Sequence, residues 1–123
     1  LEPLARLVGY GSAAQAPEWF TTAPAKAIDK TLAHLGLPKE RIDLFEINEA
    51  FAVVTMVCSR LVGIDPARVN VRGGAVALGH PIGASGARIV TTLLHAMKDR
   101  GDKRGLASIC IGGGEALTVV VER

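Results

Sequence analysis

The apolar residues of the chain recur with two alternating periods, which predict strands and helices in turn. From Arg6 to Ala13, apolar residues are interleaved with small or polar ones, as in a strand. Residues 21–36 begin with hydroxyl groups and a proline, continue with apolar residues three and four positions apart, and end at Gly36. This second segment therefore predicts a helix, joined to the strand by a loop around Pro17.

A second strand and a second helix are predicted between residues 42 and 61. Residues 42–47 place acidic side chains between apolar ones, which is typical of a strand. Asn48 has the side chain of a helix cap, and Glu49 stands where the helix dipole favours an acid. The predicted helix runs from Glu49 to Leu61, because Gly63 follows and ends it.

A glycine-rich segment separates this helix from the next. Residues 69–71 predict a short strand or an extended segment, which enters a loop with glycines from 73 to 79. Pro81 is expected to open a third helix, since proline is tolerated in the first helical turn. The helical pattern then continues to about Arg100.

The last part of the chain predicts a pair of strands. Residues 107–111 and 116–121 are mainly apolar, and three glycines at 112–114 separate them. The complete order is strand, helix, strand, helix, strand, helix, strand, strand. That order predicts an α/β fold in which helices cover both faces of a mostly parallel or mixed sheet.

Composition narrows the class of protein and its partners. The chain has 123 residues, 49% of them hydrophobic and 21% charged, as expected for one globular domain. Its net charge of +2 is dispersed and only 4% of residues are aromatic, so no nucleic-acid partner is expected. No apolar stretch reaches the roughly 20 residues of a membrane span, and no signal-peptide layout opens the chain. Two cysteines favour a reducing compartment, so a cytoplasmic location is expected unless an organelle-targeting segment has been lost.

His80 is the first candidate for chemistry, because it stands between Gly79 and Pro81 just before a predicted helix. The positive end of the helix dipole favours an anion or a thiolate beside this imidazole. The alternative is a loop histidine that bonds only to the backbone. His34 and His95 lie on predicted helices, where no chemical role is expected.

Cys110 is the second candidate, because it ends a predicted strand and precedes three glycines. Backbone amides of the turn are expected near its sulfur, and a local field that lowers the pKa of the thiol would suit a nucleophile, acid or base. The alternative for Cys110 is a small core residue, as expected for Cys58 in the middle of a helix. The glycine run 73–86 lacks the residues of a phosphate loop, and no metal-ligand spacing occurs near either candidate.

Three short motifs together resemble one family. The motifs are Asn-Glu-Ala-Phe-Ala at 48–52, Gly-His-Pro at 79–81 and Cys-Ile-Gly at 110–112. Their order and separation closely resemble the carboxy-terminal half of the thiolases, the acetyl-CoA acetyltransferase family. The likeness extends over almost the whole chain, since residues 16–20 and 69–88 also fit. The related ketosynthases lack this pairing of Gly-His-Pro with a late Cys-x-Gly and are the second choice.

The resemblance implies a fold and an activity. Residues 1–123 would form a thiolase carboxy-terminal domain, a three-layer α/β/α half with a five-stranded mixed sheet. A similar amino-terminal domain, absent from this chain, would supply the nucleophilic cysteine. The complete protein would transfer acyl groups between coenzyme A thioesters, by thiolysis of a 3-ketoacyl-CoA or by Claisen condensation of acetyl-CoA, without a cofactor. The isolated chain is expected to be inactive, and the complete protein to form a homo-oligomer.

The same resemblance implies roles for individual residues. His80 would activate the nucleophile and, with a water held by Asn48, form an oxyanion pocket for a thioester oxygen. Cys110 would move a proton to or from the substrate carbon, and the Gly112 amide would contribute to a second oxyanion pocket. Fixed donors suit an intermediate that develops negative charge, and a thiol suits proton transfer at carbon. The implied substrate-binding residues are Ala77, Leu78, Gly79, Pro81 and Ile82.

Two positions depart from the family pattern, and one different class of function stays open. Arg72 stands where a small polar residue is usual, and we expect it beside the pocket, where it would bias acyl-chain preference. Ala116 stands where glycine is common. The different class is a binding or assembly module that kept the half-fold and pairs with a partner chain or with itself.

Overall fold

The structure is a computed structural model that describes residues 1–123. Its strands are β1 (Arg6–Ala14), β2 (Leu44–Ile47), β3 (Arg104–Cys110) and β4 (Glu115–Glu122). Its α-helices are α1 (Ala23–Leu35), α2 (Ala52–Val62), α3 (Ala75–Leu78) and α4 (Ser85–Arg100). Short 3-10 helices lie at Pro17–Thr22, Lys39–Arg41 and Pro66–Arg68.

Four strands form one mixed sheet in the order β1-β4-β3-β2. β2 and β3 run parallel, whereas β4 pairs antiparallel with both β3 and β1. The glycine turn between β3 and β4 is closed by hydrogen bonds from Ile111 N to Glu115 O (2.8 Å) and from Gly114 N to Ile111 O (3.0 Å). The predicted mixed sheet and its last strand pair are therefore confirmed.

The predicted fifth strand at 69–71 is wrong. Only Val69 bridges to Phe45, because the chain turns at Asn70, whose φ of 49° is left-handed. The Asn70 side chain then takes over the pairing. Its Oδ1 accepts from Ile47 N (2.9 Å) and its Nδ2 donates to Ile47 O (2.8 Å). A side chain replaces the backbone ladder at this edge, so the sheet has four strands instead of five.

Helices cover both faces of the sheet, as the predicted three-layer arrangement requires. α1 and α2 pack on one face, in a core of 13 buried residues that includes Phe45. α4 covers the other face, where Leu93 and Met97 pack with Leu44 of β2. This contact is close, because a Cβ on Gly105 would collide with the side chains of Leu93 and Met97.

The helix starts differ from the predicted ones where the chain approaches the site. α1 ends at Gly36 as predicted, but α2 begins at Ala52 instead of Glu49. Asn48 does not cap α2, because its backbone still belongs to the sheet: its N donates to Ser108 O (2.8 Å) and its side chain is fully buried. 

The loop predicted at 73–79 contains a short helix, α3. α4 begins at Ser85 instead of Pro81, since residues 81–84 form a turn in which Ala84 N donates to Pro81 O (2.7 Å). His80 therefore lies in a connection between two helices and not at the first residue of one.

Candidate functional site

The candidate residues gather where the parallel strands β2 and β3 end. Asn48 follows β2 directly, and Cys110 is the last residue of β3. Ligands of open α/β sheets bind at the carboxyl ends of parallel strands, which is the edge that these two residues occupy. His80 reaches the same edge from the connection between α3 and α4.

A chain of three hydrogen bonds fixes the His80 ring. The Ser85 hydroxyl donates to Pro81 O (3.0 Å) and lies 2.5 Å from His80 Nδ1. Because a hydroxyl has a single proton, Ser85 must accept from Nδ1, and Nδ1 therefore carries the ring hydrogen. His80 Nε2 is left with its lone pair, and Asn48 Nδ2 lies 3.4 Å from it as a donor. The network leaves Nε2 as the basic atom of the ring.

Asn48 joins the strand end to the histidine. Its side chain is 0% exposed, and its Oδ1 has no hydrogen-bond partner within the chain. A buried acceptor of this kind needs a donor to offset its lost hydration. The amide therefore has its Nδ2 at His80 and its Oδ1 without a donor in this chain.

Cys110 is a buried thiol, only 8% exposed. Burial raises the pKa of the Cys110 thiol, and a backbone hydrogen bond offsets part of that rise. Desolvation disfavours the thiolate, so the shift is opposite to the lowering expected from nearby turn amides. Cys110 is therefore a thiol with a proton to donate.

His80 and Cys110 line one cleft of about 550 Å³, whereas the fully buried Asn48 is not part of its lining. His80, Cys110 and Gly112 are on its wall, together with the predicted substrate residue Ile82. The Gly112 N–H donates to no backbone carbonyl, so this amide is free to meet a ligand. The remaining walls are mainly apolar side chains: Phe20, Ala50, Phe51, Ile109 and Ile111.

The structure separates the predicted substrate residues into two groups. Ile82 lines the cleft and is 86% exposed, so much of its side chain has no partner within the chain. The other four are not on the cleft wall; they are Ala77, Leu78, Gly79 and Pro81. Their part in substrate binding stays a prediction.

Sequence reasoning missed three contributors to the site. Ser85 was part of a glycine run, where nothing marked it as the partner of His80 five residues earlier. Phe20 and Phe51 meet edge to face across the mouth of the cleft, with ring centroids 6.1 Å apart. Both aromatic residues belong to stretches that resemble the family, and this resemblance is the signal that could have identified them.

Glu49 links the strand end to the glycine-rich segment. Its Oε2 accepts from Val76 N (2.9 Å) at the first turn of α3. Gly74 makes this approach possible, because a Cβ there would overlap the Glu49 carboxylate. The carboxylate therefore fixes α3, and with it the start of the connection that carries His80.

The other candidates lie outside the site. Cys58 is fully buried in the α1–α2 core, and burial raises the pKa of its thiol to about 11. His34 and His95 are exposed on α1 and α4. No group of three or more His, Cys, Asp or Glu side chains is placed to hold a metal ion, and no helix has the length and apolarity to cross a membrane.

Arg72 was expected beside the pocket, but it lies elsewhere. It pairs with Asp99, at the opposite end of α4 from Ser85. Fourteen residues separate those two helix positions, which is about 20 Å along the axis. The expected influence of Arg72 on acyl-chain preference therefore has no structural basis.

Known proteins share both the sequence and the fold. The profile of the thiolase carboxy-terminal domain matches residues 1–123. Acetyl-CoA acetyltransferase 2 of Arabidopsis thaliana is 57% identical over 119 residues, which are 97% of this chain and 30% of that protein. The Bacillus anthracis acetyl-CoA acetyltransferase crystal structure matches with a TM-score of 0.96 and 45% identity, covering 99% of this chain and 31% of the other. The crystal structure of the Ascaris suum Acat5 thiolase in complex with coenzyme A matches with a TM-score of 0.95 and 52% identity, covering 100% of this chain and 32% of the other.

The matches run through the sheet, the helices and the site described above. They take in nearly the whole chain but only about a third of each relative. The likeness therefore concerns one domain of a larger enzyme. The chain belongs to the thiolase family, whose carboxy-terminal domain it matches from its first residue to its last.

Proposed function

We propose that this chain supplies the acid–base half of a thiolase active site, which works on coenzyme A thioesters of the acetoacetyl-CoA type. The observation that carries the proposal is the cleft itself. It brings together an imidazole whose Nε2 carries the lone pair, a protonated thiol and an unpaired backbone amide. Its apolar walls suit the acyl and pantetheine parts of such a substrate.

In thiolysis, His80 Nε2 takes the proton of a nucleophilic thiol, and the resulting thiolate attacks the keto carbon of the substrate. The bond between that carbon and the neighbouring CH₂ breaks, and its electron pair goes to the departing acetyl-CoA. Cys110 donates its proton to the former CH₂ carbon, which becomes the methyl group of acetyl-CoA, and Cys110 becomes a thiolate. Coenzyme A then gives its thiol proton to Cys110 and takes the acyl group, and His80 returns its proton to the released nucleophile.

The same proposal assigns the stabilising groups. The Gly112 amide on the cleft wall and a water held by Asn48 would donate to oxygens that become negative during attack and cleavage. Donors held in position before the reaction need no reorganisation, which makes them the largest catalytic contribution in acyl transfer.

The nucleophile would come from an amino-terminal thiolase domain. Cys110 is committed to proton transfer in this scheme, and Cys58 is fully buried in the core away from the cleft. The cleft also has one open side, where Phe51 is 59% and Ile82 is 86% exposed. A second domain seated there would cover both side chains and deliver the attacking sulfur. A homo-oligomer of the completed enzyme is part of the same proposal.

A chimera tests the function. In Arabidopsis acetyl-CoA acetyltransferase 2, the segment that matches this chain is replaced by these 123 residues. The chimera should cleave acetoacetyl-CoA, whereas the 123 residues alone should not. His80→Ala should reduce kcat of the chimera at least 100-fold, as loss of a general base does. His95→Ala, on the exposed face of α4, is the matched control and should leave kcat unchanged. A folded but inactive chimera, or equal effects of the two substitutions, would refute the proposal.

A further inference from the structure

Two charged side chains are buried outside the cleft and take no part in the proposed reaction. Glu46 of β2 is 1% exposed, and neither of its carboxylate oxygens has a hydrogen-bond partner. Arg88 of α4 approaches it, with Nη1 3.8 Å from Oε2. The Arg88 side chain is 19% exposed, and its Nε and Nη2 also lack partners.

This ion pair is an inefficient way to stabilise a fold. Burial raises the pKa of Glu46 to about 7, and Arg88 offsets only part of that rise. A buried ion pair with unsatisfied atoms gives little net stability, and neutral residues of similar shape often pack at least as well. Stability alone therefore does not account for these two charges.

The position of Glu46 and Arg88 in the fold gives another reason for burying them. Side chains two residues apart on a strand point to the same face, so Glu46 and Asn48 both face α4. Residues three apart on a helix share a face, so Arg88 lies one turn beyond Ser85. Two contacts thus join β2 to α4 at successive levels: Asn48 to His80 and Ser85 at the first, and Glu46 to Arg88 at the second.

The first contact is long and lies at the surface. Asn48 Nδ2 and His80 Nε2 are 3.4 Å apart, longer than an ordinary hydrogen bond, and His80 itself is exposed. Such a contact has little capacity to hold a strand and a helix in register. The Glu46–Arg88 contact joins the same two elements inside the fold, where Glu46 is 1% and the Arg88 side chain 19% exposed.

We propose that Glu46 and Arg88 are positioning residues, which hold β2 and α4 in the register that brings the Asn48 amide to His80 Nε2. This inference rests on the proposed function only for its catalytic consequence. The geometric part concerns residues of this chain alone. It predicts that the two nitrogens of His80 respond differently when the pair is broken.

The test is ¹⁵N NMR of the histidine-labelled 123-residue chain. In Glu46→Gln, the Nε2 resonance of His80 should move toward its position in Asn48→Ala, where no amide donor remains. The Nδ1 resonance should stay in place, because its partner Ser85 is on α4 with it. Asp99→Asn is the matched control: it breaks an exposed ion pair of the same helix, and both nitrogens should be unaffected.

A variant that loses its fold does not end the test. The double variant Glu46→Gln/Arg88→Met carries no buried charge and is expected to fold. Its Nε2 resonance should still move toward the Asn48→Ala position. If folded single or double variants keep the original Nε2 resonance, or if Nδ1 moves equally, the pair has no positioning role.

The catalytic consequence is measured in the chimera. Glu46→Gln should lower kcat about tenfold, since a small misplacement of a catalytic group is costly, while KM for acetoacetyl-CoA stays within twofold. Asp99→Asn should change neither constant. An inactive parent chimera would refute the proposed function and leave the NMR result standing. An active chimera that tolerates Glu46→Gln would refute the positioning role.

Discussion

At the scale of single residues, one proton decides what His80 can do. Ser85 uses its own hydrogen on Pro81 O, which obliges it to accept from Nδ1 and leaves Nε2 as the base. Without that constraint the ring would exchange its hydrogen between the two nitrogens. Ser85 therefore orients the histidine and fixes its tautomer.

Replacing Ser85 by Ala should lower kcat of the chimera by about 10- to 100-fold, in the range seen when the orienting partner of a functional histidine is removed. KM should change little, because Ser85 is buried and does not line the cleft. Steady-state kinetics measure both constants. Ser59→Ala is the matched control: this buried hydroxyl also donates to the carbonyl four residues earlier, Thr55 O, but does not contact His80. Equal losses for both serines would contradict the orienting role.

Glu46 makes a prediction about stability. Because burial raises its pKa from 4.5 to about 7, the folded chain keeps a proton on Glu46 that the unfolded chain releases from about pH 4.5 upward. The free energy of unfolding should therefore fall between pH 5 and pH 8, by up to about 3 kcal/mol from this group. Glu122, whose pKa is lowered, affects the free energy of unfolding at lower pH. Cys58, whose pKa is raised to about 11, affects it at higher pH.

Urea unfolding at pH 5 and pH 8 measures this difference. Glu46→Gln has no such proton to lose, so its stability should depend much less on pH over that range. A wild-type chain that is equally stable at both values, or a Gln variant with an unchanged pH dependence, would show that the Glu46 carboxyl is not the group responsible.

At the scale of elements, α3 depends on a contact between two distant segments. The Glu49 carboxylate reaches the first turn of α3 only because Gly74 has no side chain. The backbone of Gly74 has a φ of −113°, which any residue adopts, so space alone requires glycine here. The element that leads into His80 is thus built from both a strand end and a glycine-rich loop.

Gly74→Ala should destabilise the chain by about 1–3 kcal/mol, because the new methyl group displaces the Glu49 carboxylate. Denaturant unfolding of a double-mutant cycle tests the cause. In a Glu49→Ala background the same substitution should cost much less, since the obstructing group is gone. Gly83→Ala is the control, because a Cβ there meets nothing within 4 Å. Additive effects of Gly74→Ala and Glu49→Ala would rule out this contact.

Regular patterns along the chain predicted most of these elements, and side-chain substitutes for backbone contacts account for the errors. α1 and the β3–β4 pair follow from local spacing and from glycines that end or turn the chain. The strand at 69–71 was wrong because Asn70 pairs through its amide, a contact that no local pattern reveals. 

The site also has some residues that local sequence patterns predict and others that depend on tertiary contacts. His80 and Cys110 stand out by their glycine context, whereas the Ser85 partner and the Glu46–Arg88 pair depend on which helix packs on which strand. The pKa of Cys110 was misjudged for the same reason. Its burial is set by the packing of α1, α2 and the sheet, which outweighs the nearby turn.

At the scale of the whole molecule, the cleft and a neighbouring apolar surface are open to solvent. The cleft has exposed apolar walls, and a second apolar groove crosses the α4 face of the sheet between Ile89, Ile109 and Leu117. Leu117 is 49% exposed there, although it lies in a central strand. Both surfaces are apolar and open to solvent, as the proposed second domain requires.

We propose that this chain provides the proton-transfer half of the site and that a second domain provides the nucleophile. The most direct measurement compares two exchange reactions of acetyl-CoA in the chimera and in its Cys110→Ala variant. Exchange of the acetyl group with labelled coenzyme A reports the acyl-enzyme, and incorporation of deuterium from D₂O into the acetyl methyl group reports proton transfer at carbon. We expect the chimera to catalyse both exchange reactions. In Cys110→Ala, deuterium incorporation should fall at least 100-fold while acetyl exchange continues. Loss of acetyl exchange together with deuterium incorporation would place the nucleophile on Cys110 and contradict the division of the site.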